Sequence, residues 1–411
     1  MQLRKEVVVI DAVRSAIGKS GVTGMEKHGQ LCHASAQDLM ANTMRGLLDR
    51  VKAKAPKFDE SEIEEVIVGC QGQVGEQGGN IARMSMLIAN MHNVVNGVTV
   101  NQYCNSGLKA ITMGACTLKA GDGDMILCGG VEVLSHYRMG AEIMAAVEAK
   151  YPVHFSPRMA EVGMTTLQGP AAEKISEERG HTREELDRFG WWSMKKAVEA
   201  ERNGWFADHI IPHEVTWEGN TKIVDRDEVL RPKAADDPEG FLKDIAGLKS
   251  PFKEGGMVTP GNSSQIVDGA AAVLLMTADK AEKLGLEPMC RIVSHASVGD
   301  SPFTMLLGLV PAAQRALDRA GMTMDQMDII EPNEAFATPL LVLADSFGYA
   351  YDDPRVNPTG GAIALGHPIG ASGVIYFGEM VHHLKRTKGK RAIQMICGGG
   401  GLGIATVVEA V

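Results

Sequence analysis

The chain has 411 residues, a formal net charge of −10, and 45% hydrophobic and 22% charged residues. This length is too great for one ordinary core and indicates two or more packed units with the composition of a globular protein. The acidic balance argues against a general nucleic-acid or anionic-membrane surface, since both need a basic face. No apolar run reaches the roughly 18 residues of a membrane span. We therefore expect a cytoplasmic protein with no nucleic-acid or membrane partner.

The first part of the chain alternates strands with helices. Extended, β-branched runs at residues 6–10, 65–69 and 125–130 predict buried strands. Apolar residues at helical spacing predict helices over residues 35–51 and 80–91 and a third helix after Cys104. Strands that alternate with helices in this way predict an α/β fold with a largely parallel sheet covered on both faces.

The composition changes between about residues 135 and 256. This region holds all four tryptophans, many charges and stretches rich in proline, glycine and aspartate. It predicts an inserted, mostly helical and loop region that lies over the sheet and forms a wall of the ligand site.

From about residue 280 the pattern of the first part returns. The run 328–331 followed by a helix from Glu334 repeats the strand 65–69 and its helix. The run 356–357, a helix around Ser372, and a strand ending in Cys-Gly-Gly repeat the elements around Cys104. This repetition predicts two copies of one βαβ-rich unit, with residues 1–279 and 280–411 as the two halves.

Cys104 lies in the sequence NQYCNSG at residues 101–107, where an apolar strand ends and a helix begins. Unpaired N–H groups and the dipole at a helix N-terminus favour an anion, so we expect the thiolate to be stabilised there. The small Ser106 and Gly107 leave room for a substrate. A nucleophile and a buried structural cysteine both fit this stretch.

His367 lies in the glycine-rich sequence GGAIALGHPIGASG at residues 360–373. The glycines allow a close approach of the backbone, and Pro368 fixes the direction of the chain after the histidine. A histidine held so rigidly is a candidate base for Cys104, and the alternative is a histidine that caps its own turn.

Cys397 opens the terminal sequence CGGGGLG at residues 397–403. The glycines contain a literal GxGxxG, but a dinucleotide site needs a following helix and a further strand, and residues 404–408 look like a strand. We therefore interpret the segment as a second thiol at a strand end, with glycine N–H groups available to an oxyanion. A core cysteine, like Cys128 in the first half, is the alternative.

Asn333 begins the sequence NEAFA at residues 333–337, at a predicted helix start. It fits a plain N-cap, and it equally fits a group that holds a water or a substrate oxygen. The seven cysteines show no paired CxxC spacing, so neither a disulfide framework nor a metal site is predicted.

Together these segments resemble the thiolase family over nearly the whole chain, from VIDAVRSAIG at residues 9–18 to the terminal glycines. The resemblance implies a duplicated thiolase fold with two similar mixed or parallel sheets and helices in five α-β-α-β-α layers, plus the inserted loop region. It implies reversible cleavage of a 3-oxoacyl-CoA by CoA, or the reverse Claisen condensation, and a place in fatty acid β-oxidation.

The resemblance also implies the roles of individual residues. Cys104 would be the acylated nucleophile, His367 its base and an oxyanion donor, and Cys397 the second acid/base. Asn333 would hold an oxyanion-hole water, and the N–H groups of Cys104 and Gly399 would form the other oxyanion hole.

Two further residues match positions that contact coenzyme A in the family, Ser264 and Arg231. Coenzyme A would be a substrate, with no tightly bound cofactor, and the protein would be a homodimer or homotetramer. Two departures from the family pattern concern the acyl-binding side. Gln168-Gly169 stands where a Met-Gly pair is common, and Pro260 stands where alanine is common near the pantetheine.

Two alternatives to a thiolase are a condensing enzyme of the ketoacyl-synthase type and a catalytically silent CoA-binding scaffold. The first would lack the Cys397 step, and the Gly-His-Pro turn with the terminal Cys-Gly cluster argues against it. The second predicts loss of at least one reactive group, and all of them are present.

Overall fold

The computed structural model describes residues 5–21, 27–151, 156–164 and 166–411, so residues 152–155 and 165 of the predicted insertion lie outside the described residues. The strands are β1 (Val7–Arg14), β2 (Gly18–Lys19), β3 (Glu65–Gly69), β4 (Asn96–Val100), β5 (Met125–Val133), β6 (His213–Trp217), β7 (Asn220–Val224), β8 (Val267–Thr277), β9 (Cys290–Gly299), β10 (Ile329–Pro332), β11 (Arg391–Gly398) and β12 (Leu402–Glu409). The helices are α1 (Ala36–Lys54), α2 (Ile81–Ile88), α3 (Ser106–Ala120), α4 (Ala141–Glu148), α5 (Arg158–Glu161), α6 (Gln168–Arg179), α7 (Arg183–Arg202), α8 (Lys233–Asp236), α9 (Pro238–Ala246), α10 (Ala278–Leu284), α11 (Leu309–Ala320), α12 (Ala337–Phe347), α13 (Ala362–Leu365) and α14 (Ile369–Thr387).

The two halves have the same strand order and the same strand directions. The first half runs β1-β8-β5-β3-β4, with two antiparallel pairs followed by two parallel pairs. The second half runs β9-β12-β11-β10 with the same succession, and Ile330 bridges in parallel to Val356 where a fifth strand would lie. The predicted duplication is confirmed. The prediction of a largely parallel sheet is wrong, because β8 and β12 each pair antiparallel with both of their neighbours and make the sheet mixed.

The two sheets meet edge to edge. Strands β1 and β9 pair through Val8 with Arg291 and Val9 with Cys290, which joins the described strands other than β6 and β7 into one 10-stranded sheet. The join is short, and the layer of α3 and α14 lies between the two sheets.

The helices form the outer and central layers because the strands are buried on both faces. In β1, Val7 and Val9 pack into the core around α3 and α14, whereas Val8 and Ile10 pack into the core around α1 and α2. A third core lies between the second sheet and helices α11 and α12. The resulting order is α1 and α2, first sheet, α3 and α14, second sheet, α11 and α12, which are the five predicted layers.

The central helices α3 and α14 cross in close contact because glycines face each other. A Cβ on Gly373 would lie 2.2 Å from the backbone nitrogen of Leu108, and one on Gly107 would lie 2.8 Å from the carbonyl oxygen of Gly370. Gly107 therefore makes room for a helix, and the prediction that it makes room for a substrate is wrong. The crossing brings the starts of the two helices together.

The insertion is mostly helix and loop, as predicted, with the β6–β7 hairpin added. A buried ion cluster fixes it to both halves. Arg14 of β1 pairs with Asp227 of the insertion at 2.7 Å and with Glu379 of α14 at 2.6 Å, and all three side chains are almost fully buried. In the described part of the chain no helix is both long and apolar enough to cross a membrane.

Candidate active site

A cavity of about 330 Å³ lies where the two halves and the insertion meet. Three of the residues predicted to do chemistry line it, Cys104, His367 and Gly399, together with Ser264. Its other lining residues are Gln71, Tyr103, Leu134, Met139, Gln168, Phe252, Ser263, Gln265, Ile266, Phe336 and Ile369. Residues far apart in sequence thus share one small enclosure.

Cys104 lies two residues before the first residue of α3, and only 5% of it is exposed. Burial raises the pKa of its thiol to about 11, and the Gln168 amide and the backbone N–H groups of Cys104 and Gly399 oppose this. The N–H groups around the sulfur favour the thiolate as expected, but desolvation outweighs them, so the net direction of the pKa is opposite to the expected one. The thiol is protonated at neutral pH and needs a base.

His367 precedes α14, and a buried hydroxyl fixes its ring. Its Nδ1 lies 2.6 Å from the Ser372 oxygen, and Ser372 in turn donates to the carbonyl of Pro368 at 3.1 Å. With the single hydroxyl proton used in this way, Nδ1 carries the ring proton and Nε2 has a free lone pair. Nε2 is buried and has no hydrogen-bond partner among the described residues. Burial lowers the pKa of His367 to about 4, so the ring is a neutral base.

The backbone before His367 requires glycine. Gly366 has a φ of 94°, and a Cβ there would lie 2.4 Å from the Val267 side chain. The main-chain N–H of His367 donates to the carbonyl of Gln265 at 2.9 Å. The turn is therefore fixed on both sides of the histidine, and the ring does not simply cap it.

Cys397 lies near the end of β11, and the glycines after it form the turn to β12. This hairpin excludes the dinucleotide motif, as predicted, since no helix follows the glycines. Burial raises the pKa of Cys397, and negative charge on the nearby Cys104 raises it further. The two thiols are thus close enough to influence each other, and Cys397 remains protonated at neutral pH.

Asn105 links the two cysteine segments, a role that sequence reasoning missed. With its amide nitrogen oriented to donate, it reaches the carbonyl oxygens of Ile396 and Cys397 at 3.3 and 3.1 Å. Its side chain also lies against Gly398. Asn105 is fully buried next to Cys104, so it holds the Cys104 segment against β11.

Asn333 does not cap a helix. The helix predicted from Glu334 begins at Ala337, with Phe336 as its N-cap, because the backbone of residues 335–337 first pairs with that of residues 262–264. Both side-chain atoms of the Asn333 amide are buried and have no partner among the described residues. An amide left unpaired in this way fits a site for an ordered water.

Glu334 ties the NEAF segment to the histidine turn. Its buried carboxylate accepts hydrogen bonds from Ser193 at 2.6 Å, Asn357 at 2.7 Å and the backbone of Ile363 at 3.0 Å. The partners come from α7, the loop before the glycines and α13, a combination that no sequence spacing indicates.

The residues matched to coenzyme A contacts are separated. Ser264 lines the cavity, whereas Arg231 is exposed and is not one of the residues that line it. The two residues that depart from the family pattern also lie in different places. Gln168 lines the cavity with its amide nitrogen 3.9 Å from the Cys104 sulfur, and Pro260 is exposed outside it.

Comparison with known proteins gives the same family for both halves. The thiolase N-terminal domain matches residues 7–279 and the thiolase C-terminal domain matches residues 286–410. The chain is 38% identical to a 3-oxoadipyl-CoA/3-oxo-5,6-dehydrosuberyl-CoA thiolase of Escherichia coli (strain K12), covering 99% of this chain and 100% of the relative. It is 39% identical to a 3-ketoacyl-CoA thiolase of Idiomarina loihiensis with the same coverage.

A solved structure agrees. The crystal structure of the Bacillus anthracis acetyl-CoA acetyltransferase superposes with a TM-score of 0.86 at 30% identity, over 100% of both chains. The fold and the cavity with its cysteine and histidine define an acyl-transferring enzyme, and the chain belongs to the thiolase family. The predicted reaction class, reversible thiolytic cleavage of a 3-oxoacyl-CoA or the reverse condensation, is confirmed. The family match favours it over the ketoacyl-synthase and scaffold alternatives.

Proposed function

We propose that this enzyme works in two steps through an acyl group on Cys104. The observation that carries the proposal is the position of the Cys104 sulfur, which faces the Gly399 N–H of the other half in a cavity shared with His367. In the first step Nε2 of His367 takes the thiol proton as the sulfur attacks C3 of a 3-oxoacyl-CoA. The neutral ring and the protonated thiol are the correct starting states for this transfer.

Cleavage of the C2–C3 bond leaves an electron pair on C2. The Cys397 thiol gives its proton to C2, which releases acetyl-CoA, and the acyl group stays on Cys104. Because Cys397 remains a thiol at neutral pH, it has the proton that this step needs.

The second step returns both protons. A CoA thiol gives its proton to the Cys397 thiolate, and its sulfur attacks the acyl carbonyl on Cys104. The Cys104 sulfur leaves and recovers its proton from His367. The N–H groups of Cys104 and Gly399 would stabilise the carbonyl oxygen of the acyl-enzyme as it becomes negative, and His367 with a water on Asn333 would serve the other oxyanion.

The lining of the cavity supports an uncharged acyl group. Six of its side chains are apolar, Leu134, Met139, Phe252, Ile266, Phe336 and Ile369. Among the described residues that line it there is neither lysine nor arginine. The acyl group of 3-oxoadipyl-CoA, for which the Escherichia coli relative is named, ends in a carboxylate, and burying that carboxylate without a cation is costly.

The acyl class is tested with two substrates of equal carbon number. We expect kcat/KM for 3-oxohexanoyl-CoA to exceed that for 3-oxoadipyl-CoA by about tenfold or more, since the carboxylate finds no cation in the wall. Equal values, or a preference for 3-oxoadipyl-CoA, would contradict the uncharged acyl class.

The remaining assignments are part of the same proposal. Ser264 would contact the pantetheine in the cavity, and Arg231 would contact coenzyme A outside it. Residues 1–279 and 280–411 would be the two halves of each subunit. The enzyme would be a cytoplasmic homodimer or homotetramer that acts in β-oxidation with no tightly bound cofactor.

The acyl-enzyme is tested by brief incubation with acetyl-CoA followed by peptide mass spectrometry. We expect the acetyl group on the peptide that contains Cys104, and its loss when CoA is added. Acetyl found on Cys397 alone, or on neither cysteine, would overturn the proposal.

A further inference from the structure

Gln168 is the first residue of α6, and it places the polar end of its side chain beside the nucleophile. Its Nε2 lies 3.9 Å from the Cys104 sulfur, within contact distance for a donor to this large atom. This contact joins the insertion directly to the segment before α3. The mechanism above gives it no role.

The backbone around Gln168 is fixed. A Cβ on Gly169 would lie 2.2 Å from the Phe252 ring, so this residue packs directly against the aromatic wall of the cavity. Pro170 follows in the first turn of α6, where its fixed φ suits a helix start. The amide is therefore presented to the sulfur from a rigid support.

The surroundings of the Cys104 sulfur show why a donor matters there. Burial raises the pKa of Cys104, and the hydrogen bonds that oppose it come first from the Gln168 amide and then from the N–H groups of Cys104 and Gly399. The carboxylate of Glu132 acts in the opposite direction. Neutral N–H groups thus favour the charged sulfur in this site.

We propose that Gln168 is a catalytic residue that donates an N–H···S hydrogen bond to the Cys104 thiolate, holding the sulfur in position and stabilising its charge during attack and departure. A methionine at this place would have no N–H to give, so Gln168→Met removes the donor and keeps a long unbranched side chain. The inference rests on the proposed function for its role in catalysis, but the contact itself does not.

Alkylation of Cys104 by iodoacetamide tests the contact without any acyl-CoA. The rate at pH 7, read by mass spectrometry of the Cys104 peptide, reports the reactive thiolate. We expect Gln168→Met to slow alkylation about tenfold, since a hydrogen bond to a charged group is lost. Gln168→Glu keeps the shape of the side chain but brings a carboxylate to the sulfur, and we expect it to be slower still.

The matched control is Pro260→Ala, which restores the family residue at the other departure, outside the cavity. Its alkylation rate should stay within about twofold of the native rate, as expected for a site with no contact to the sulfur. Thermal unfolding of each variant separates a local effect from a folding defect. Native alkylation rates in folded Gln168→Met and Gln168→Glu enzymes would overturn the inference, as would equal slowing in Pro260→Ala.

The acylation half-reaction then separates this inference from the proposed function. Slower alkylation in Gln168→Met together with slower acetyl transfer to Cys104 supports both. Slower alkylation with no acetyl on Cys104 in the native enzyme leaves the contact standing and overturns the acyl-enzyme. Native alkylation with normal acetyl transfer in Gln168→Met overturns the role of Gln168 alone.

Discussion

The turn before α3 and the turn before α14 occupy the same place in the two halves, yet they contribute different chemistry. The first supplies Cys104 and the second His367, and both residues line one cavity. Burial keeps the thiol protonated and the imidazole neutral, so the pair is poised for proton transfer rather than already ionised. Duplication thus gives two facing turns, one with a thiol and one with an imidazole, which is the arrangement that our proposed function uses.

The strand ends differ in another way. Cys-Gly-Gly lies within β5 and spans the end of β11 and the residue after it, and the sequence suggests that Cys128 and Cys397 are equivalent. Cys128 packs in the central core with α3, whereas Cys397 packs in the core of the outer helices α11 and α12. Ile396, one residue before Cys397, is the one that belongs to the central core. Cys128 and Cys397 therefore do not occupy equivalent positions. Successive residues of a strand point to opposite faces of the sheet, so a shift by one residue moves a side chain to the other face.

Replacing these cysteines in turn sharpens the contrast between the halves. We expect Cys104→Ala to lower kcat by about 10⁴-fold or more, as for the loss of other nucleophiles. The control Cys128→Ala should keep kcat within a few-fold and lower the free energy of unfolding by about 1 kcal/mol, because it leaves a small cavity. Denaturant titration and thiolysis rates measure both effects. A Cys104→Ala enzyme with substantial turnover would show that the first turn is structural.

Removing the imidazole tests the second turn. His367→Ala loses the base and an oxyanion donor, and one such donor is typically worth about 10²–10³ in rate. The control is His383→Ala in α14, the helix that follows His367. His383 is another buried histidine whose pKa burial lowers to about 4, and kcat/KM should change little. Comparable losses in both variants would mean that the effect comes from packing.

The pH dependence has a defined sign. Burial lowers the pKa of His367, so the neutral base persists as pH falls and is lost only as pH passes below about 4. We expect kcat/KM, measured by rapid transfer from neutral pH, to hold through pH 5 and 6. A midpoint near the ordinary histidine value of about 6.5 would contradict a buried neutral ring.

The glycine crossing between the helices gives the smallest expected effect. Gly373→Ala forces Cβ into the backbone of Leu108, and we expect a loss of about 1–3 kcal/mol in the free energy of unfolding, as for overpacked cores. Gly378→Ala is the control, because its Cβ would meet the nearest atom, Cβ of Ala12, at an ordinary 3.6 Å. It should be neutral or slightly stabilising through helix propensity. Equal destabilisation by the two changes would mean that the crossing is not close.

Much of the fold follows from periodic patterns that the sequence displays directly. The runs 65–69 and 125–130 are strands, and the order of elements repeats because each half folds as the same unit. Boundaries were less predictable where tertiary contacts decide them. The helix expected from Glu334 begins at Ala337, because the carboxylate is used to hold the histidine turn instead of starting a helix.

The site was predictable where special backbone surrounds a reactive residue, as at His367. It was not predictable where two distant segments meet, as with Asn105 and β11 or Gln168 and Cys104. The expected direction of the Cys104 pKa was wrong, because a sequence shows the local helix start but not the desolvation, which depends on the whole surrounding fold.

Proton exchange at acetyl-CoA most directly tests the central claim, that the first half makes the bond and the second half moves the proton. In deuterated water the native enzyme should exchange deuterium into the acetyl methyl group, and Cys397→Ala should not, because no group remains to remove the α-proton. The same variant should still accept an acetyl group on Cys104, which confirms an intact first half. Exchange at the native rate in Cys397→Ala would contradict the account and make the glycine-rich hairpin a structural element.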